Sequence, residues 1–300
     1  MQFACEQCGA SVDFAGVSTA SCPYCASPSV VERAPAPGRA LPSFVLAFTS
    51  DEARARTTLG SFLGRRRWFS DGAITRAQVS ALRGVYVPAY LYSAVARTTY
   101  SASIGEHYEE TEETTSTDSE GKTSRSTRTV TRTEHCPLAG LHVGYVTDVV
   151  VSGSAGLGDN ELQRVEPFDL RQLRRHAPAI ISGWIAEDFA RDQAACLERS
   201  RTEAMDSIGA RLRRFMPGDS HSDLTWSTRL EWEAMEPILV PMWIAAARYH
   251  EDKPPLRVVI NGQTGAVHGE IPISWLRVVL AVLLVAGLGV AIYVLTRHGR

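Results

Sequence analysis

The chain has 300 residues, 44% of them hydrophobic and 21% charged, and a formal net charge of −2. That supplies a sizeable core for one large domain or two modest ones. It also excludes a general polyanion binder on composition, and the positive charge is almost all arginine, with lysine only at Lys122 and Lys253.

The first element is a pair of knuckles, "CEQC" and "CPYC". Cys5, Cys8, Cys22 and Cys25 give the spacing C-x2-C-x13-C-x2-C and account for four of the six cysteines. Four thiolates satisfy a tetrahedral zinc ion at about 2.3 Å, and each C-x-x-C turn presents both sulfurs to it. Gly9 and Pro23 suit such turns. With four protein ligands the coordination sphere is closed, so the metal is expected to be structural. The competing readings are disulfides and a thioredoxin-like redox pair. Against them, "MQFACEQCGASVDFAG" lacks the charged and apolar regions of a signal peptide, and no βαβ pattern surrounds the motif. A reducing, cytoplasmic compartment is the expectation. The ribbon (1–33) carries Glu6, Asp13 and Glu32 against Arg33 alone, without the clustered cations that phosphate binding needs.

Residues 34–42, "APAPGRALP", read as a linker that sets the ribbon apart from the rest of the chain. "SDEARARTTLGSFLG" predicts a helix with Ser50 as N-cap and acids in its first turn. "GVYVPAYLYSAVARTTYSASI" (84–104) is aromatic and β-branched and predicts a strand. Val87-Pro88-Ala89-Tyr90 recurs as Val240-Pro241-Met242-Trp243, which points to two equivalent strands, each at an edge or a bulge because of its proline.

Residues 106–134 sort their charges, with Glu109 and Glu113 before Glu120-Gly121 and Arg128 and Arg132 after it. A solvent-exposed hairpin about that turn would set Glu113 opposite Arg128 and Glu109 opposite Arg132. The other reading is a disordered loop. Further on, "FDLRQLRR" predicts a short helix. Residues 190–216 predict a longer one, apolar at Ala194, Leu197, Ala204, Ile208, Leu212 and Phe215. The strands "LTWSTRLEWEAM", "ILVPMWIAAARYH" and "LRVVINGQTGAVHGEI" come next, the last with Asn261-Gly262 as a hairpin signal. Residues 43–272 are thus expected to form one α+β domain with mostly antiparallel strands.

From Val278 to Thr296 the chain is uncharged and almost wholly apolar, with Trp275 and Tyr293 spaced for two membrane interfaces. Residues 274–296 are expected to form a transmembrane helix. Only 297–300 lie beyond it, and the reduced cysteines place the bulk of the chain on the cytoplasmic side, although Arg297 and Arg300 mildly oppose that. Gly287 and Ala291 make one small-xxx-small pair.

Catalytic signals are weak. The histidines form no H-E-x-x-H cluster, "SGSAGLGD" (152–159) lacks both G-x-G-x-x-G and a phosphate lysine, and Cys196 falls on an apolar helix face. His135 and Cys136 are adjacent rather than convergent. The expectation is a chain that is not an enzyme, with no catalytic residue and no small-molecule substrate. Arg174-Arg175 and Arg211, Arg213 and Arg214 read as solvated cations. Arg65-Arg66-Arg67 beside Trp68 is placed to touch anionic headgroups if the anchor holds it near a membrane.

Together the "CEQC…CPYC" start, "RRRWF", "LRGVYVPAYLY", "VEPFDL", "ILVPMWI" and "VINGQTGAVHGEIPISW" before an apolar tail resemble a family of bacterial zinc-ribbon membrane proteins. These are labelled TFIIB-type zinc ribbon-containing, or replication restart helicase-like on account of the ribbon. The resemblance covers nearly the whole chain. The helicase label has no support in the residues, since no G-x-x-x-x-G-K-[ST] loop exists. Ala26 stands where the family's second knuckle has glycine. The resemblance implies a tail-anchored, cytoplasm-facing adaptor or scaffold that recruits protein partners, SPFH or phage-shock-type proteins among them, in an envelope-stress-like role. A membrane-tethered nucleic-acid-binding factor is the second reading and a hydrolase or redox enzyme the third.

Overall fold

The computed structural model describes residues 2–5, 10–13, 22, 24, 30–33, 40–65, 71–117, 123–250, 252–272 and 274–298. Cys8, Cys25, most of the linker, Arg66 to Phe69 and the Glu120-Gly121 turn lie outside these. The described elements alternate as β1 (Gln2–Cys5), β2 (Ser11–Asp13), β3 (Val30–Arg33), β4 (Phe44–Val45), α1 (Glu52–Gly64), β5 (Gln78–Thr117), β6 (Thr123–Ser152), α2 (Asp159–Gln163), β7 (Arg174–Arg175) and α3 (Pro178–Ile181). They continue as β8 (Ile185–Glu187), α4 (Gln193–Phe215), β9 (Ser220–Arg248), β10 (Leu256–Asn261), β11 (Val267–Gly269) and α5 (Trp275–His298). This is an α+β chain with a large mixed sheet, ordered β11-β10-β9-β5-β8-β2-β1-β3, with β4 beside β7 and β9 and β6 beside β5.

Two compact units divide the chain. The first takes Met1–Leu91, Val150–Cys196 and Glu236–Arg300, the second Tyr92–Val149 and Leu197–Met235. In the first unit the strand period of two splits each central strand between two cores. Val85, Val87 and Ala89 join Ile238, Val240, Met242 and Ile244 on one side. On the other, Trp243, Ala245 and Ala247 meet Ala55, Leu59, Phe62 and Leu63 of α1. That is why "ILVPMWIAAA" is apolar without alternation. Each Val, Leu, Ile, Met or Phe among them contributes roughly 1.5–3 kcal/mol on burial.

The prolines of the repeated Val-Pro phrase sit on neighbouring interior strands, not at edges. Pairing of β5 with β8 ends at Tyr86↔Ala186, and pairing of β9 with β10 ends at Met242↔Asn261. Each proline therefore lies where a lateral ladder has stopped, so its missing N–H leaves no gap in that ladder. The two sites are alike in detail: Gly153 N–H donates to the Pro88 carbonyl and Gly262 N–H to that of Pro241, both at 2.9 Å.

Several local expectations are corrected. Asp51, not Ser50, caps α1, accepting from the Arg54 N–H at 2.8 Å. Ser50 is buried and donates to the Gly262 carbonyl. "FDLRQLRR" is a single 3-10 turn, Leu170–Gln172, and then β7, which runs antiparallel to β4 (Phe44↔Arg175). Asn261-Gly262 does not form the two-residue turn. Asn261 ends β10 and its Oδ1 accepts from the N–H groups of Gln263 and Thr264, while Gly265 carries the positive φ of 77°. The asparagine side chain thus builds an Asx-type loop one step further along.

In the second unit β5, β6 and β9 run far beyond ordinary strand lengths. Thr98 bonds Thr228 and Ser101 bonds Thr225, which makes β5 and β9 antiparallel. The expected hairpin is the far end of β5 and β6, but Arg132 pairs with Glu110 and Glu112 instead of Glu109. Arg132 shares a face with Glu110 and Glu112, so the register expected from a tight turn is off by an odd number of residues, which moves every pair to the other face. On α4 the buried stripe is Cys196, Ser200, Ala204, Ile208 and Leu212, whereas Ala194 and Phe215 are exposed. Phe215 lies edge-on to the rings of Tyr100 and His142.

Among the described residues no helix is long and apolar enough to cross a membrane. Helix α5 occupies the stretch where the sequence predicts such a span, with side chains described as far as Gly289.

Candidate metal centre and its polar seat

Cys5 ends β1, and its N–H donates to the Ala10 carbonyl at 2.8 Å, closing the chain back into β2. Strand β1 lies between β2 and β3, both antiparallel to it. Cys5 and Cys22 are 3% and 1% exposed, a water-poor setting that suits a metal-thiolate site. Cys8 and Cys25, the other two expected ligands, lie outside the described residues. Among those described, no three His, Cys, Asp or Glu side chains group as a metal site.

The ribbon is not set apart from the body. Strand β2 pairs with β8 (Val12↔Glu187, Asp13↔Ala186), so β2, β1 and β3 extend the main sheet. Cys5, Ala10, Cys22 and Tyr24 belong to the same apolar cluster as Leu157, Leu162 and Val85. A proline-rich stretch limits helix and strand in its own residues, but it does not prevent the flanking modules from packing. The expected displayed knob is therefore replaced by a docked one.

Beneath the ribbon lies a buried polar centre. Glu187 is 2% exposed, and its carboxylate takes four donors. The Tyr24 hydroxyl donates to Oε2, as does Ser154 Oγ at 2.7 Å, and the Ala155 and Gly156 N–H groups donate to Oε1 at 3.2 and 3.3 Å. Burial pushes the Glu187 carboxyl up to about 7, with these donors opposing the rise. Burial, then the nearby Glu187 charge, holds the Tyr24 phenol well above its usual range.

The loop Ser152 to Gly158 is built to present these donors. Ser152 Oγ donates to the Leu157 carbonyl, and Ser154 Oγ accepts from the N–H groups of Gly156 and Leu157. Asp159 accepts from the Ser152 N–H and from Arg191. Arg257 clamps the loop from β10, donating to the Gly156 carbonyl at 2.7 Å and to both carboxylate oxygens of Glu161. Gly156 has no room for a side chain, since a Cβ there would stand 2.8 Å from that of Ala10 and 3.0 Å from the Tyr24 ring. "SGSAGLGD" is a loop, as its sequence implies, and its glycine and serines serve the ribbon rather than a phosphate. Glu187 carried no sequence signal. Tyr24 did carry one, as a residue between the expected ligands Cys22 and Cys25.

The first unit also holds an open cleft of about 720 Å³ lined by Phe48, Trp184, Trp243, Asp51, Glu52 and Arg83. Phe48 and Trp184 stack at 4.1 Å, and Trp243 meets Phe48 edge-on at 5.2 Å. Gly84 leaves the space that the Trp184 ring fills. The aromatic rings already satisfy one another, and Glu52 is paired with Arg56.

The remaining candidate residues separate in space. His135 and Cys136 are exposed, on successive positions of β6 that face opposite ways. Cys196 is buried, and burial raises its thiol. Arg213 lies over the Trp226 ring at 5.6 Å, and Arg211 bonds the Tyr145 carbonyl. In the second unit Glu233 accepts from Tyr92 and Arg201, and these hydrogen bonds, Arg201 first, hold its carboxyl low.

No protein-family model matches the chain, and no solved structure does. It is similar to "Uncharacterized protein YdjG" of Bacillus subtilis (strain 168), 20% identical over 248 residues. The match takes in 79% of this chain and 65% of that protein's length.

Proposed function

We propose that this chain is a membrane-anchored adaptor, a scaffold braced by a structural zinc ribbon and carrying protein partners to a membrane through α5. The observation that carries the reading is the surface of α5. Val282, Leu283, Leu284 and Val285 span a full turn, and all four are more than 60% exposed. From Val278 through Gly289 the helix is apolar on every side and has no polar stripe for water. The described side chains alone are too few for a span, and it is the sequence, uncharged to Thr296, that brings the stretch to the length hydrocarbon requires. Zinc at Cys5, Cys8, Cys22 and Cys25 is supported by their spacing and by the burial of Cys5 and Cys22. The family resemblance supports a bacterial cell membrane, a cytoplasm-facing bulk and partners of the SPFH or phage-shock type. Because the ribbon is seated in the body, recognition falls to the body's surfaces.

The test is fractionation of cells expressing the full chain, followed by crosslinking in the membrane fraction. The expected result is a chain that resists alkaline carbonate, carries about one zinc ion and crosslinks to a defined protein. A chain released by carbonate, or one without bound zinc, refutes the corresponding half of the reading.

A further inference from the structure

Strand β6 is a lateral boundary of the second unit, since among the described residues it pairs with β5 alone. One bond identifies its open edge. Arg211 of α4 reaches the Tyr145 carbonyl at 2.7 Å, which turns that carbonyl away from β5. In a regular strand the backbone groups of Val143, Leu141 and Ala139 then face the same way. Leu141, Val143 and Tyr145 also share one face and are 59%, 50% and 74% exposed.

Exposed edges of this kind normally carry charge as protection against pairing. Here Cys136 to Thr147 holds no formally charged residue, although Arg125, Arg128, Arg132 and Glu134 crowd the strand just before it. We propose that this edge is a homotypic interface, accepting β6 of a second copy antiparallel across a two-fold axis at Val143.

Charge and backbone chemistry favour a second copy. The two-fold sets Leu141 opposite the partner's Tyr145 and Val143 opposite the partner's Val143. Asp148 falls opposite the partner's Leu138, and Glu134 opposite the partner's Ser152, so no like charges meet. A parallel pairing in register would instead oppose Asp148 to itself and each arginine to itself, which is unfavourable. The window also closes symmetrically. Asp148 pairs with the partner's Leu138, and the next position brings in Pro137, which has no N–H to donate. Arg211 occupies the Tyr145 carbonyl at one end, leaving its second lone pair for the incoming strand. The proposal is independent of the metal and of the anchor.

The test uses the full chain in detergent, with the protein mass in the micelle determined by sedimentation. The native chain is expected to be a dimer. Val143→Lys places two ammonium groups at the axis and should weaken association at least tenfold, with unchanged circular dichroism because the side chain is exposed. In a Cys136→Ser background, Val143→Cys should give a disulfide dimer on mild oxidation and Thr147→Cys should not, because Thr147 falls opposite the partner's Ala139. A native chain still monomeric at about 100 µM, well above the ~1 µM of weak standard interfaces, overturns the proposal. So does a dimer that survives Val143→Lys, as association through α5 would, or equal crosslinking from both cysteine positions.

Discussion

Replacing Glu187 by glutamine keeps the shape of the side chain and removes its ionisation. In the folded chain burial sets this carboxyl at about 7, against an ordinary value of 4.5. The folded state therefore holds the proton more tightly than the unfolded one. Its contribution to stability is complete below about pH 4.5 and is lost as pH rises through about 7. The gap between the two values corresponds to about 3 kcal/mol, a ceiling because the four donors also adapt to the charged form. The glutamine variant has no such window. At pH 4.5 the two are near equivalents, since the amide oxygen can accept from the Ala155 and Gly156 N–H groups while its NH2 donates to the hydroxyls of Tyr24 and Ser154. The stability of the native chain relative to the variant should then fall by up to about 3 kcal/mol by pH 8. Urea unfolding of both full chains in detergent, at pH 4.5 to 8, measures this, with hydrogen exchange at Ala155 and Gly156 locating it. Contributions of the thiolates are common to both chains and cancel in the difference. A difference constant to within about 0.5 kcal/mol across the range would refute the reasoning, because it would mean that the donors keep the buried carboxylate ionised throughout.

Gly156→Ala forces a Cβ against Ala10 and the Tyr24 ring, and should cost about 1–3 kcal/mol in urea unfolding. Unchanged stability would mean that loop and ribbon do not touch. Asn261→Ala removes the bonds to the Val165 and Pro167 carbonyls and orphans the N–H groups of Gln263 and Thr264. A loss of about 2–4 kcal/mol is expected, and a loss below about 1 kcal/mol in thermal unfolding would show that the loop is not held by this side chain. Trp232 sits at φ 51° and is 81% exposed, so Trp232→Gly relieves a left-handed conformation at little burial cost. It should stabilise the chain by about 1 kcal/mol, and a lower melting temperature would contradict that.

The sequence made the chemistry of single elements legible wherever one period dominated. Helix α1, helix α4 and the apolar run over α5 follow from spacing, and the strand character of residues 84–104 follows from composition. Depth of burial was harder to read. Strands buried on both faces, such as β9 through "ILVPMWIAAA", lose the alternation that marks a face, so their partners cannot be assigned from pattern. The Val-Pro phrase was visible as a repeat, yet its place between interior strands depends on where neighbouring ladders end. The expectation of a zinc site rests on cysteine spacing alone. The seat beneath those cysteines was not legible, because Glu187 lies 163 residues beyond Tyr24, and the two acids of "IAED" look like surface.

The docked ribbon changes what the adaptor reading asks of each part. A displayed zinc knuckle would need a polar exterior around its ligands, whereas Cys5, Cys22 and Tyr24 are buried against the loop from Ser152 to Gly158. That loop supplies three of the four donors to Glu187, β8 supplies the carboxylate, and the ribbon supplies Tyr24. No two of the three complete the centre, because removing the ribbon takes away the Tyr24 donor and the β2 ladder on β8, while removing the loop strips most of the donors to the carboxylate. The centre therefore favours assembly of all three at once. On that arrangement zinc would stabilise the first unit by holding the segment that carries Tyr24, and partner recognition would fall to surfaces the ribbon does not cover. The uncharged edge of β6, in the second unit, is proposed to read another copy of the same strand without any contribution from the metal.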